Sequence, residues 1–80
     1  MKTEEIKKRI EEAWDDTSAM ISDMTGTGDH FDVRVISPAF EGKSMVERHQ
    51  LVYGLFPDEL ADQRIHAMAL KTISTAELQD

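Results

Sequence analysis

The chain has 80 residues, 40% of them apolar and none of them cysteine. That length suits one small domain, residues 1–80, with a thin core. The missing thiols exclude a disulfide framework, a thiolate zinc site and an iron–sulfur cluster on the chain's own cysteines, and nine basic against sixteen acidic side chains, net −7, argue against avid nucleic-acid binding.

Ile6, Ile10, Ala13 and Trp14 recur at helical spacing and predict an amphipathic first helix, anchored on a sheet by Trp14. Thr3 is the expected cap, and Glu4 and Glu5 suit the positive end of the helix dipole. Glu4–Lys8 and Glu5–Arg9 are i, i+4 pairs, so Lys7-Lys8-Arg9 reads as a solvated face rather than a nucleic-acid handle. Residues 18–24 form a weak strand in which Met20, Ser22 and Met24 alternate with Ile21 and Asp23. Two glycines in Thr25-Gly26-Thr27-Gly28-Asp29 predict a hairpin loop with positive φ. No Gly-Lys-Ser/Thr follows, so it is not a phosphate loop.

Phe31, Val33 and Val35 alternate with Asp32 and Arg34 in a clear strand ended by Ser37 and Pro38. Residues 39–43 are a turn around Gly42. Ser44 and Glu47 form a capping box before a helix whose apolar period runs through Met45, Val46, Leu51, Val52 and Leu55. Gly54 breaks that helix, and Pro57 opens a short one carrying Leu60 and Ala61. Residues 64–73 are the last strand, with Ile65, Ala67 and Ala69 on one side and His66, Met68 and Leu70 on the other. Apolar residues on both sides predict cover over much of both faces. Ser74 and Glu77 can cap one more turn.

The order predicts an α+β fold. A hairpin-length loop makes the first two strands antiparallel, and about twenty residues with helices allow a right-handed crossover to a parallel third. The outcome is a three-stranded mixed sheet with helices on one face, αββααβ, like the type II KH fold. No apolar run reaches the roughly 20 residues of a membrane span, and no signal peptide opens the chain. A cytoplasmic setting is expected.

Catalytic patterns are missing: there is no nucleophile elbow, no His-x-x-x-His and no Glu-x-x-His. The expectation is a protein that is not an enzyme. Imidazole is the one good transition-metal ligand left. His49 sits inside the main helix, in a packing role. His30 stands at the mouth of the glycine loop and His66 in the last strand; read alone, each is more readily structural than a ligand. No pair has local chelating spacing, so the isolated chain is expected to hold no cofactor and to bind metal weakly, while a site shared with a partner's ligands stays open.

Four ordered blocks carry a resemblance: His30-Phe31-Asp32-Val33-Arg34-Val35-Ile36-Ser37, Phe40-Glu41-Gly42-Lys43-Ser44, Val46-Glu47-Arg48-His49-Gln50-Leu51-Val52-Tyr53, and Arg64-Ile65-His66-Ala67-Met68-Ala69-Leu70-Lys71-Thr72. Together, over about residues 26–73, they closely resemble the BolA family, whose αββααβ fold coincides with the order read above. The resemblance implies pairing with a monothiol glutaredoxin and a shared [2Fe–2S] cluster. In such a complex the glutaredoxin and glutathione supply thiolates and the BolA-like chain supplies histidine, as histidine does in Rieske-type centres. It implies a role in iron–sulfur trafficking or iron homeostasis, and a monomer or weak homodimer when alone. The family's C-terminal ligand histidine falls on His66.

The family's other ligand, a Cys or His in the loop between the first two strands, has Thr27 near its place, and a threonine hydroxyl is a poor iron ligand. Three outcomes stay open: His30 takes the role, His66 serves alone, or cluster binding weakens. The family's usual Thr-Pro-Glu-Glu-Trp-like ending is replaced by Ser74-Thr75-Ala76-Glu77-Leu78, which predicts a shorter, less well anchored last helix.

The rival reading is nucleic-acid binding, since some BolA-like proteins are described as stress-response or transcriptional regulators and the fold is KH-like. The KH clamp is a Gly-x-x-Gly loop between helices; here Gly54-Leu55-Phe56-Pro57 has one glycine and no base. Lys43, Arg48, Arg64 and Lys71 are the candidates for a modest basic patch, enough for weak DNA binding. The first sixteen residues hold four basic and six acidic groups and the rest five and ten, so neither part is cationic.

Overall fold

Strict alternation makes β2 (His30–Ile36) the centre of the molecule: Phe31, Val33 and Val35 are buried, while Asp32 and Arg34 face out. The computed structural model describes residues 1–26 and 28–78. Around β2 lie α1 (Thr3–Ala13), β1 (Ser18–Asp23), a 3-10 turn (Pro38–Phe40), α2 (Met45–Tyr53), α3 (Pro57–Ala61), β3 (Ala67–Ile73) and a final turn, α4 (Thr75–Leu78). The sheet order is β1-β2-β3. β1 runs antiparallel to β2, with Ser18 opposite Ile36 and Asp23 opposite Phe31. β3 runs parallel to β2, with His30 opposite Ala67 and Ile36 opposite Ile73. The α+β architecture and the αββααβ order follow the sequence reading, and the expected last turn is present as α4, with Ser74 and Glu77 bonded to each other's N–H groups.

Helices cover one face, meeting β2 through Ile6, Ile10, Val52 and Phe56, all fully buried. Trp14 is not the main anchor. α1 ends at Ala13, and the half-buried Trp14 ring turns edge-on to Phe40 at 5.8 Å between centroids. The α1 cap is Lys2 rather than Thr3; its N–H donates to the Glu5 carboxylate at 3.2 Å. The helix charges also pair differently: Lys7 meets Glu11 at 3.0 Å and Arg9 reaches Glu59 at 2.7 Å, because both cations lean toward the fold instead of along the solvent face.

α2 is capped as its sequence predicts. The Ser44 hydroxyl accepts the Glu47 N–H (3.2 Å), and the Glu47 carboxylate accepts the Ser44 N–H (2.9 Å). Its inward stripe is Arg48 and Val52, not Met45 and Val46, which are exposed. Arg48 takes the inward position because its guanidinium finds acceptors there: the Lys43 carbonyl at 3.0 Å, the Thr72 carbonyl at 3.3 Å and the Glu77 carboxylate at 2.6 Å. In β1 the inward residues are Ala19 and Ile21, leaving Met20 and Met24 exposed.

The last strand begins at Ala67, later than its apolar run suggests. Ile65 turns into the core and its N–H bonds the Glu59 carbonyl at 3.0 Å, which leaves residues 64–65 as a bend and His66 outside the strand. Nor is β3 covered on both sides. Met68 and Thr72 are buried, but Ala67, Ala69 and Lys71 lie exposed on the open sheet face. Alanine offers too little apolar area there to draw a second layer.

Helix side chains occupy backbone groups on both edge strands. On β1, the Ala19 carbonyl accepts from Lys7 Nζ (2.9 Å) and its N–H donates to Glu11 (3.0 Å). On β3, the Met68 carbonyl accepts from the Tyr53 hydroxyl (3.1 Å), and the Thr72 carbonyl from Arg48. Edge groups so occupied do not pair with a foreign strand. Among the described residues, no helix is long and apolar enough to cross a membrane.

Two predictions follow from these contacts. Phe31→Ala empties a site only 1% exposed and should cost about 3–5 kcal/mol in urea denaturation, most of the stability of so small a domain. Glu11, held by the Ala19 N–H and then Lys7, and Glu59, held by Arg9, sit below the ordinary glutamate value of 4.5. Glu77, held by the Ser74 side chain and then Arg48, does too. A carboxyl depressed on folding contributes stability that is fully present above its unfolded value and is lost as pH falls through the folded one. The thermal midpoint should therefore hold from neutrality to about pH 5 and drop below about pH 4.5; Glu59→Gln should flatten that drop.

Candidate metal-ligating site

The β1–β2 hairpin is built by Asp23. Its carboxylate accepts the Gly26 N–H (3.0 Å) and the Gly28 N–H (2.9 Å), and both glycines take positive φ, +75° and +77°. That left-handed backbone is what glycine supplies at low cost. The hairpin closes where the Met24 N–H meets the His30 carbonyl at 2.9 Å. Thr27, the sequence position nearest the family's loop ligand, lies outside the described residues.

β3 starts against this loop. The Asp29 carbonyl accepts two N–H groups, from His66 at 2.7 Å and from Ala67 at 3.1 Å. The join brings His30 and His66 together, ring centroids 5.0 Å apart and planes 38° to each other. His66 is exposed, and His30 is 37% exposed with Nδ1 at 2.8 Å from the Asp29 carboxylate. His66 thus lies beside the loop, between the bend at 64–65 and the start of β3, rather than on the Met68–Leu70 strand face.

Two imidazoles open to solvent can ligate through a ring nitrogen each. A tetrahedral metal holding two imidazole nitrogens at about 2.0–2.1 Å sets the ring centres roughly 5 Å apart, which the observed pair matches. Among the described residues no group of three or more His, Cys, Asp or Glu is placed to hold a metal ion. The pair could therefore hold a metal centre only together with ligands from outside these residues. His49 is elsewhere, its ring edge-on to Tyr53 at 6.5 Å and its buried Nε2 without a hydrogen-bond partner.

The four basic candidates do not converge. Arg48 is 9% exposed and bonded inside the fold. Arg64 is paired with Asp62 at 2.8 Å. Lys43 precedes α2, its carbonyl taken by Arg48. Lys71 lies on the open sheet face, across from Arg34, where they line a trough of about 250 Å³ with Met20, Ser22 and Asp32. The segment in place of the KH clamp is packed away: Gly54 ends α2, and Phe56 is fully buried under the Arg9 guanidinium, 4.9 Å from its ring centre.

Comparison with known proteins establishes the family. The family model for BolA-like proteins matches residues 4–77. The chain belongs to the BolA family. It is 41% identical over 54 residues to the acid stress protein IbaG of Escherichia coli K12, covering 68% of this chain and 64% of that one. To the DNA-binding transcriptional regulator BolA of Vibrio cholerae it is 46% identical over 54 residues, covering 68% and 50%. The chain thus spans less than two thirds of the length of these two curated relatives. The BolA domain of SufE1 from Arabidopsis thaliana superposes with a TM-score of 0.81 at 32% identity, over 96% of this chain and 98% of that one. The family is generally one of non-enzymatic regulators or adaptors, and the three-stranded mixed sheet is shared with its solved members.

Asp29 escapes sequence reading as a site residue because half of its part is played by its carbonyl. Its only signal is adjacency to His30. The basic residues give a direct test of their separate roles. Arg48→Ala leaves the Lys43 and Thr72 carbonyls without that donor and should cost about 1–3 kcal/mol. Lys71→Ala should stay within about 0.5 kcal/mol in the same urea titration.

Proposed function

We propose that this BolA-like chain is an adaptor that pairs with a monothiol glutaredoxin and shares a [2Fe–2S] cluster with it, in iron–sulfur trafficking or iron homeostasis. The observation that carries this reading is the His30–His66 pair at 5.0 Å, on the rim where the hairpin loop meets the start of β3. A chain without cysteine offers imidazole only, so thiolates come from the glutaredoxin and glutathione. Of the three outcomes open at Thr27, the pairing favours His30 as the second imidazole.

The cluster, when bound, supplies a redox-active and transferable iron centre whose potential imidazole ligation raises. This chain's own residues hold and aim the ligands. Asp23 shapes the loop, the Asp29 carbonyl ties His66 to it, and the parallel β2–β3 register keeps both rings at one end of the sheet. His66 is exposed and His30 partly so, so a partner can reach them.

The second reading, a nucleic-acid-binding regulator, draws on the name of the Vibrio relative and on Arg34 and Lys71 side by side on the open face. Net charge −7 opposes approach to phosphate, and one cation pair releases few counterions. A cytoplasmic setting belongs to the same proposal.

The test is co-purification with a monothiol glutaredoxin and glutathione, read by visible absorption and circular dichroism. A bridged-cluster spectrum distinct from that of the glutaredoxin alone is expected. His66→Ala should abolish the mixed-ligand signature, and His30→Ala should weaken it, with the apo fold intact in both. An unchanged spectrum in His66→Ala, with the heterocomplex still formed, removes that residue from the site. Gel shifts at physiological salt should show no tight complex; a tight one lost on Lys71→Ala would favour the regulator reading.

A further inference from the structure

Asp29 touches both histidines through different atoms. Its carboxylate Oδ1 lies 2.8 Å from His30 Nδ1, and its carbonyl accepts the His66 N–H at 2.7 Å and the Ala67 N–H at 3.1 Å. We infer that Asp29 is the positioning residue of the two-imidazole site: its carboxylate holds His30 as the Nδ1–H tautomer, leaving Nε2 as the ligating nitrogen, while its carbonyl fixes where His66 starts from. The ligand half of this inference rests on the function proposed above.

The chemistry is that of a carboxylate behind a ligating imidazole. A carboxylate only accepts, so a neutral ring bonded to it through Nδ1 must carry its proton there. The lone pair then sits on Nε2, and the hydrogen bond makes that nitrogen a better donor to a metal while holding the ring plane. Free imidazole side chains have no such bias imposed on them, and a ring that rotates or switches tautomer presents its lone pair only part of the time.

Asp29 is itself well placed for the task. The Asp23 carboxylate holds Gly26 and Gly28 just ahead of it, so its backbone enters β2 from a clamped loop. Its side-chain bond to His30 and its carbonyl bonds are also separable by mutation. Substituting the side chain deletes the bond to His30 and keeps the carbonyl bonds to His66 and Ala67, so the start of β3 stays in place.

The test uses Asp29→Ala and the conservative Asp29→Asn, whose side-chain oxygen can still accept from Nδ1–H. In the isolated full chain, made slightly alkaline so that imidazole is neutral, nitrogen-15 shifts of the His30 ring report its tautomer. The native chain should show Nδ1–H. Asp29→Ala should move His30 toward Nε2–H, Asp29→Asn should restore much of the native pattern, and the His66 and Ala67 amides should stay protected in both. In the glutaredoxin complex the lifetime of the bridged cluster against a chelator should fall roughly 10- to 100-fold in Asp29→Ala and recover in Asp29→Asn.

A His30 tautomer that Asp29→Ala does not move overturns the inference, and so does a moved tautomer with an unchanged cluster lifetime. If the native chain keeps the Nδ1–H tautomer but never shares a cluster, the proposed function fails and the ligand role fails with it. The tautomer arm needs no cluster, so the two failures are distinguishable.

Discussion

A parallel pair next to an antiparallel hairpin has one unavoidable consequence: the hairpin loop and the start of the third strand lie at the same end of the sheet. Here β1 and β2 are joined at the N-terminal end of β2, and β3 runs beside β2 in the same direction from His30 opposite Ala67. The Asp29 carbonyl locks that register by taking the His66 and Ala67 N–H groups together. Slip β3 by one residue and its faces invert, sending Met68 and Thr72 outward and Ala67 and Ala69 under the helices. Burial of Met68 thus holds the register, and the register holds His66 beside His30.

The same helices that cover the sheet also finish its borders. Lys7 and Glu11 bracket the Ala19 backbone, while Tyr53 and Arg48 reach carbonyls of β3. For a domain this small such contacts have two effects at once. They attach α1 and α2 at defined heights along the strands, and they remove edge groups that would otherwise template pairing with another chain. Arg48 carries a third: through Glu77 it holds α4, a turn of four residues that has little apolar area of its own. An arginine on the inward stripe of α2 therefore joins the crossover helix, the end of β3 and the C-terminal turn.

Much of this is written in local pattern. The Phe31–Val35 alternation, the Ser44–Glu47 capping box, the loop glycines and Pro57 all act within a few residues, and each element they predict is present. What local pattern misplaces is whatever a distant partner decides. Arg48 looks like a surface cation until the Thr72 carbonyl and Glu77 are beside it. Met45 and Val46 look like core until Arg48 takes the inward position. Ile65 and His66 continue an apolar run, yet the bond from Ile65 to Glu59 bends the chain there and delays the strand to Ala67. At the site, His66 is legible through the Arg64-Ile65-His66-Ala67 block and His30 only as the nearest imidazole to the loop. Their contact is a matter of register, which no spacing along the chain reveals.

The open face of the sheet and the histidine rim bear on partnership in different ways. The open face is mixed in charge and mostly small-residue, with Ala67, Ala69 and Ser22 around Asp32, Arg34 and Lys71 and with Met20 its one large exposed apolar side chain among these. The rim offers little area, but it offers two donors of one chemical kind at a separation one metal can span. Two imidazoles alone leave half of a tetrahedral shell to be filled, so affinity for a metal centre on this chain depends on who brings the rest. On the proposed reading, that incompleteness makes the bound state belong to the complex: neither chain holds the same centre alone, and separation of the partners is coupled to release or rearrangement of the iron. On the same reading, the carboxylate behind His30 would adjust how firmly this half grips without adding a ligand, so that affinity could be tuned while the fold is left alone.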